Sequence, residues 1–408
     1  MANTKSSLDT MFKYNTADKV NELVPNFSII QKMLGNIKPA QKNGRKYLAP
    51  VCLTGEGGVT YGDGSVFSYN ADIAAVYDEA ELNATPIVVK SRISLSAANA
   101  MLDDKLTFIT KSSLQAGVMK ESLMKRLEVE CLWGKSNVGI GIIESQTGSG
   151  TTRALVLTAA TFSPAIFGGT EAHLFECRNS SGTIQNADDD ITLVSFDIAT
   201  RTLNVSGDES DLDACGAGDV IYFKGAYSNG FEGVYKQLTN TGSLFGLDAA
   251  VYNLLQGTSY SVSGQLTMAK VLKGLGKAVS RGLASDVTLF VSPETFEVLN
   301  SDLSALRVFD SSFGKSGTSG FQQIKYGYQA GSVTVQAHPY VHPGYAFGMA
   351  KDSMQKIGRC DVTFDFAGNG EYYEALEGSA GFQILCGAEW CLYIGKPAHN
   401  VVFTGITN

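Results

Sequence analysis

The sequence predicts an α+β protein of more than one domain, and three stretches predict it. Residues 112–133 carry a long helical pattern. Residues 266–301 run helix, buried strand, capped helix, and residues 150–228 hold short strands without a helical period. At 408 residues the chain exceeds one simple core, so two or three domains are expected.

Residues 1–45 read as an arm with one or two short helices. Val20, Leu23 and Val24 stand at helical spacing before Pro25, and Ile29, Ile30, Met33 and Leu34 do so before Gly35. Residues 43–70 are strand pieces broken by glycine pairs, the pattern of a long β-hairpin projecting from the body. Residues 71–95 continue as extended chain, with alternation and β-branched residues in TPIVVKSRISL.

In the helix expected over 112–133, Met119, Leu123, Leu127 and Cys131 lie one turn apart. Lys120, Glu121, Lys125, Arg126, Glu128 and Glu130 cover its other faces. At about 1.5 Å per residue it would run roughly 33 Å, and the glycine-rich WGKSNVGIGI ends it.

Over 150–228, regularly spaced strands separated by NSSGT and NADDD indicate a small antiparallel β domain with the abrupt edges of an insertion. Residues 229–345 are mixed. Met268, Val271, Leu272, Leu275 and Val279 form a helical stripe, and the apolar VTLFV suits a strand buried on both faces. Ser292 can cap the next helix, with Pro293 at its first position where the missing N–H does no harm. Residues 346–408 return to strands.

Charged residues make up 18% of the chain, below the roughly 25% usual for soluble domains, which favours surface buried against other copies. The net charge of −8 gives no support for a nucleic-acid-binding protein. The first residues show no signal-peptide core, and no apolar run of about 18 residues exists to span a membrane. Seven cysteines without a C-x-x-C pair read as reduced thiols in a cytoplasmic setting.

His338 and His342 stand four apart, a zinc spacing on a helix, but Pro339 and Pro343 argue for a rigid loop. Asp211, Asp213 and Gly216 fit the first positions of a calcium loop, yet Cys215 and Tyr222 occupy positions that need oxygen ligands, so a surface turn is expected. Gly274, Gly276 and Lys277 lack phosphate-loop spacing, and Ala278 follows where Ser or Thr is required. They read instead as small residues permitting close helix packing. Tyr372 and Tyr373 read as decoration of a strand or turn. No nucleophile elbow occurs. No catalytic, cofactor or metal residue is therefore assigned.

The order of these elements resembles a tailed-phage major capsid protein of the Hong Kong 97-type fold. MKRLEVECLWGKSNVGIGII is similar to the end of that family's spine helix, and the extended stretch before it resembles the projecting E-loop. GFEGVYKQLTNTGSLFGLDAAVYNLL, then helix, DVTLFVSPETFEVLN and SALRVFD, is similar to the axial (A) domain. VTVQAHPYVHPGYAFGMAKDSM resembles the return to the peripheral (P) domain. The resemblance implies an N-terminal arm (1–45), E-loop with flanking strands (46–90), P-domain with spine helix (91–149), inserted β domain (150–228), A-domain (229–345) and a return to the P-domain (346–408).

It further implies a structural, non-enzymatic subunit that self-assembles as pentamers and hexamers into an icosahedral head. That head would enclose double-stranded DNA, be assembled in the host bacterial cytoplasm and be carried in the virion. The implied partners are portal, possible decoration proteins and packaged DNA held without sequence recognition. No long scaffolding segment precedes the E-loop, and Met1 favours a separate scaffolding protein. The family's lysine–asparagine crosslink is not carried over, because no lysine aligns to it. The alternatives are an encapsulin-like nanocompartment shell and, from another class, a hydrolase or carbohydrate-binding protein with a β domain.

Overall fold

In the computed structural model, which describes residues 27–35, 37, 41–43, 46–94, 105–186, 190–301, 324–366, 374–375 and 381–408, the long helix runs Lys105–Trp133. It begins seven residues before the expected Ser112, because KLTFITK carries on the helical register without a breaker. At about 1.5 Å per residue it spans roughly 43 Å. Met119, Leu123, Leu127 and Cys131 are buried along one stripe, as their spacing predicts. Of the charged residues on its other faces, Lys125, Glu128 and Glu130 are buried toward the C-terminus. The helix there enters the body.

Beside the helix lies a sheet whose spine is the 14-residue strand Gly381–Ile394. Thr85–Ser94 pairs with it antiparallel on one side, from Trp390↔Thr85 to Gly381↔Ser94, and Met354–Thr363 pairs on the other. A second, mixed sheet has six strands in the order Thr258–Gly264, Val401–Ile406, Tyr345–Ala350, Val287–Val291, Gly331–Ala337 and Ile324–Tyr328. The central strand is covered on both faces. Val287, Leu289 and Val291 join one core, and Phe290 joins the other.

The helix Met268–Val279 lies on the first of those faces with Met268, Val271 and Leu275 inward. A Cβ on Gly274 would stand 2.4 Å from the Phe403 ring, so glycine is what lets this helix approach the sheet. Gly276, expected to serve the same purpose, has open space around it. The following helix, Pro293–Ser301, begins as the sequence predicts, with the Thr295 N–H donating to Ser292 Oγ at 3.2 Å.

Between the helix end and the six-stranded sheet, the chain forms a closed antiparallel barrel of six strands from Gly141 to Phe223. Its first strand is Gly141–Thr147, nine residues before the expected start at 150. That strand follows the glycine loop directly, so in sequence it reads as the tail of the helix segment. Leu155, Phe175, Cys177, Leu193, Leu203 and Val205 fill the interior. The barrel is fastened to the body rather than hung from it: Ser163 donates to Pro339 O, Tyr222 Oη to Ser136 O, and the Gly344 N–H to Ala160 O.

The helix expected before Pro25, the SALRVFD segment and Tyr372-Tyr373 lie outside the described residues. The calcium-like segment is at the surface, as expected, but forms a six-residue helix, Glu209–Ala214, rather than a turn, capped by Asp208 accepting the Ser210 N–H. Asp213 pairs with the buried Arg153, and Asp211 is buried.

Gly274→Val is expected to destabilise the chain by about 1–3 kcal/mol through overpacking against Phe403, whereas Gly276→Ala stabilises it by about 0.5–1 kcal/mol through helix propensity. Urea unfolding of the two variants measures both signs.

Candidate assembly site: an exposed hairpin and its buried anchor

Lys46–Cys52 and Tyr77–Leu82 pair antiparallel in the register Tyr47↔Leu82 to Cys52↔Tyr77. The ladder stops there, but the two legs continue side by side. The Leu53 N–H donates to Val76 O, the Gly57 N–H to Ile73 O (both 2.8 Å), and the Asn70 side chain to Val59 O. The legs thus keep register to a tip where Asp63 accepts the N–H and hydroxyl of Ser65, which hold its carboxyl below the ordinary carboxylate range. At about 3.3 Å per residue, a 12-residue leg spans at most roughly 40 Å. Gly58 adopts φ +82°, and a Cβ there would lie 2.8 Å from Ala71 O, so the legs approach through glycine.

The hairpin carries apolar side chains into solvent. Tyr61 is 91% exposed and Tyr69 87%, with Val59, Val66, Ile73 and Tyr77 also bare and Phe67 packed edge-on to Tyr69. Single exposed apolar residues are ordinary; this many on one projecting element mark a contact surface. Acidic residues accompany them: Glu56, Asp63, Asp72, Asp78 and Glu79.

At its base the hairpin is held firmly. Ala80 and Leu82 are fully buried, Lys46 pairs with Glu81, and the Glu81 N–H donates to Phe245 O at 2.8 Å. The chain then passes into Thr85–Ser94 and its ten-pair register with the sheet spine.

That sheet backs onto the buried end of the long helix, where polar groups converge. Glu128 is inaccessible to solvent and accepts from the Ile30 N–H (2.6 Å), the Gln31 N–H (3.2 Å) and His338 Nε2 (3.0 Å). His338 Nδ1 accepts the Tyr340 N–H, which leaves the proton on Nε2 facing the carboxylate. His342, also fully buried, donates from Nε2 to Gly139 O at 3.1 Å and stacks on Trp133 at 4.0 Å between centroids. Trp133 Nε1 donates to Tyr340 O at 2.8 Å, and its ring meets Tyr235, Tyr345 and Phe347.

The two histidines therefore do lie in a loop between strands, as expected, but their nitrogens are turned to different partners and hold that loop against the helix. Among the described residues no group of three or more His, Cys, Asp or Glu could hold a metal ion.

Burial governs titration here. It lowers the His342 pKa to about 3 and raises that of the Glu130 carboxyl to about 8, the latter opposed by Arg126 and Lys135. Lys125, which donates to Gly168 O, is pulled down to about 8 by burial and the neighbouring Arg126 charge. Sequence reasoning missed these groups because helical charges with i, i+4 spacing look like a solvated face. The only visible hint was their crowding before Trp133.

A scan against protein-family models finds no match, and a search of curated proteins finds none either. Solved structures do resemble the chain. The capsid of cyanophage A-1(L) matches over 100% of both chains at a TM-score of 0.58 and 9% identity. The capsids of native and empty GTA particles match over 100% of both chains at 0.52 and 0.51, with 6% and 7% identity. The likeness is one of fold: the chain has the α+β capsid fold of the Hong Kong 97 type. Among the described residues no helix is long and apolar enough to cross a membrane.

Glu128→Leu leaves two backbone donors and a histidine buried without their acceptor, and a loss of about 3–5 kcal/mol is expected. Hydrogen exchange should show residues 27–35 opening first. For pH, native His342 stays neutral while the unfolded residue takes a proton, so stability falls as pH drops from 6.5 toward 3. Native Glu130 keeps a proton that the unfolded chain has lost, so stability falls as pH rises from 4.5 toward 8. Between 4.5 and 6.5 the two oppose each other. Relative to wild type, Glu130→Gln should gain up to about 1.4 kcal/mol per pH unit as pH rises from 4.5 to 8, and His342→Phe should do so as pH falls from 6.5 to 3. Urea unfolding across pH 3–8 measures these differences.

Proposed function

We propose that this chain is the major capsid subunit of a tailed bacteriophage, assembling as pentamers and hexamers into the icosahedral head around double-stranded DNA. The observation that carries the reading is the capsid fold shared over the full length with a cyanophage capsid. The exposed apolar hairpin supports it, because such a surface calls for cover by another copy. The role is structural rather than catalytic.

A shell subunit meets identical copies at several angles, so it needs a rigid body and a compliant contact element. The long helix and its buried anchor supply the first. The glycine-rich hairpin, whose legs are joined by spaced hydrogen bonds rather than a continuous ladder, supplies the second. A net charge of −8 suits a wall that grips DNA weakly and without sequence preference, so that genome can move in and out. In this reading a separate scaffolding protein guides assembly in the host cytoplasm. A portal occupies one vertex, decoration proteins can bind outside, and the finished subunit resides in the virion. The barrel from Gly141 to Phe223 is the inserted domain, and its fastening to the helix end makes it part of the rigid body.

Negative-stain microscopy of the purified chain, alone and with its scaffolding protein, tests the proposal. Icosahedral shells are expected; a stable monomer under every condition overturns it. Tyr61→Asp with Tyr69→Asp should abolish shells while leaving the urea midpoint of the subunit unchanged, since both side chains touch water rather than core.

A further inference from the structure

Between the long helix, the strand Thr85–Ser94 and the barrel lies a pocket of about 460 Å³ that the assembly reading does not use. Ile87, Val88, Leu123 and Phe223 give it apolar walls, and its polar lining includes Arg126 and Glu130. Arg126 is held by its guanidinium lying 3.4 Å from the centroid of the Phe223 ring. Its Nη1 is nonetheless buried without a hydrogen-bond partner, and so is Oε1 of Glu130, which is only 5% exposed. Buried polar atoms without partners are rare in folded proteins and mark places where a water, an ion or another polar group belongs.

The chemistry of that group follows from the charges. Burial keeps the Glu130 carboxyl protonated at neutral pH, so it contributes a donor and no net charge. Arg126 stays positive, and Lys224 at the edge adds a second cation, paired with Asp190. A buried guanidinium, a neutral carboxyl and apolar walls select an anion with flat oxygen geometry on an apolar body. The geometry points to a carboxylate-binding pocket, in which Arg126 and Glu130 hold the carboxylate and Leu123 and Phe223 hold the apolar body that carries it. Two sources offer that chemistry: a free small carboxylic acid, and an acidic side chain of a second copy. The pocket is built within one chain, so carboxylate binding by the unassembled chain stands or falls independently of the proposed assembly.

The test is thermal unfolding of the purified full-length chain with sodium benzoate, against benzamide and against sodium chloride at equal ionic strength. Benzoate at tenfold excess over its dissociation constant should raise Tm by about 2 °C, while benzamide and chloride should not. Benzoate without effect, or benzamide as effective as benzoate, overturns the proposal. Arg126→Met should erase the benzoate shift. Because that variant removes a buried packing group, Val88→Trp provides a second check: Val88 is exposed on the pocket lining, and a bulky ring there should block benzoate with Tm otherwise unchanged. Retention of the full shift in both variants places benzoate elsewhere and also overturns the proposal. Assembled particles distinguish the source. Loss of the benzoate response on assembly identifies a neighbour's acidic side chain as the occupant, and its persistence identifies a free acid; either result supports a carboxylate site.

Discussion

The last turns of the long helix, from Lys125 to Trp133, are buried except where Arg126 lines a pocket, and the rest of the chain is arranged around them. Such a segment cannot be stabilised by an apolar stripe alone, because its charged residues have also left water. Each needs a partner or must give up its charge. Glu128 is met by two backbone N–H groups and His338, Lys125 by a barrel carbonyl, and Glu130 keeps its proton. Those partners come from the N-terminal segment, the loop between two sheet strands, and the barrel. One stretch of helix thereby fixes where three separate parts of the chain sit. The tight contact with the chain that follows is carried by Gly134, where a Cβ would fall 2.3 Å from Phe231 O.

This arrangement has a mechanical consequence. Force on the hairpin passes through the buried Ala80 and Leu82 into Thr85–Ser94, and from there across ten register pairs into the strand Gly381–Ile394 that backs the helix. Gln237 ties that strand's end to the short helix Val234–Leu238, accepting the Ile394 N–H and donating to Leu392 O. The compliant element thus emerges from the best-anchored part of the molecule. Adjustment is confined to the legs and tip, where spaced hydrogen bonds replace the ladder and glycines are frequent.

Much of the fold was legible in the sequence because its signals are local. The stripe at Met268, Val271 and Leu275, the capping Ser292 with Pro293, and the both-sides-buried VTLFV each involve residues within one or two turns of each other, and each appears where the spacing puts it. The hairpin was legible from its glycine pairs. Edges were less so: the barrel's first strand follows the helix-ending loop without a turn signal, and the long helix starts earlier than its clearest stripe. Gly276 shows the limit of composition, since nothing in sequence separates a glycine that admits Phe403 from one that faces open space.

The sequence by itself determined the kinds of element and their order. It also determined that a long hairpin would project, because alternation broken by glycine is a property of the hairpin alone. Only the tertiary structure decided which charges go inside. Glu128 and Lys120 look alike along the helix, but Glu128 finds acceptor work 97 and 210 residues away, while Lys120 stays in water. The free energy of a buried charge is set by partners that the chain brings from far off in sequence, and no local periodicity records them.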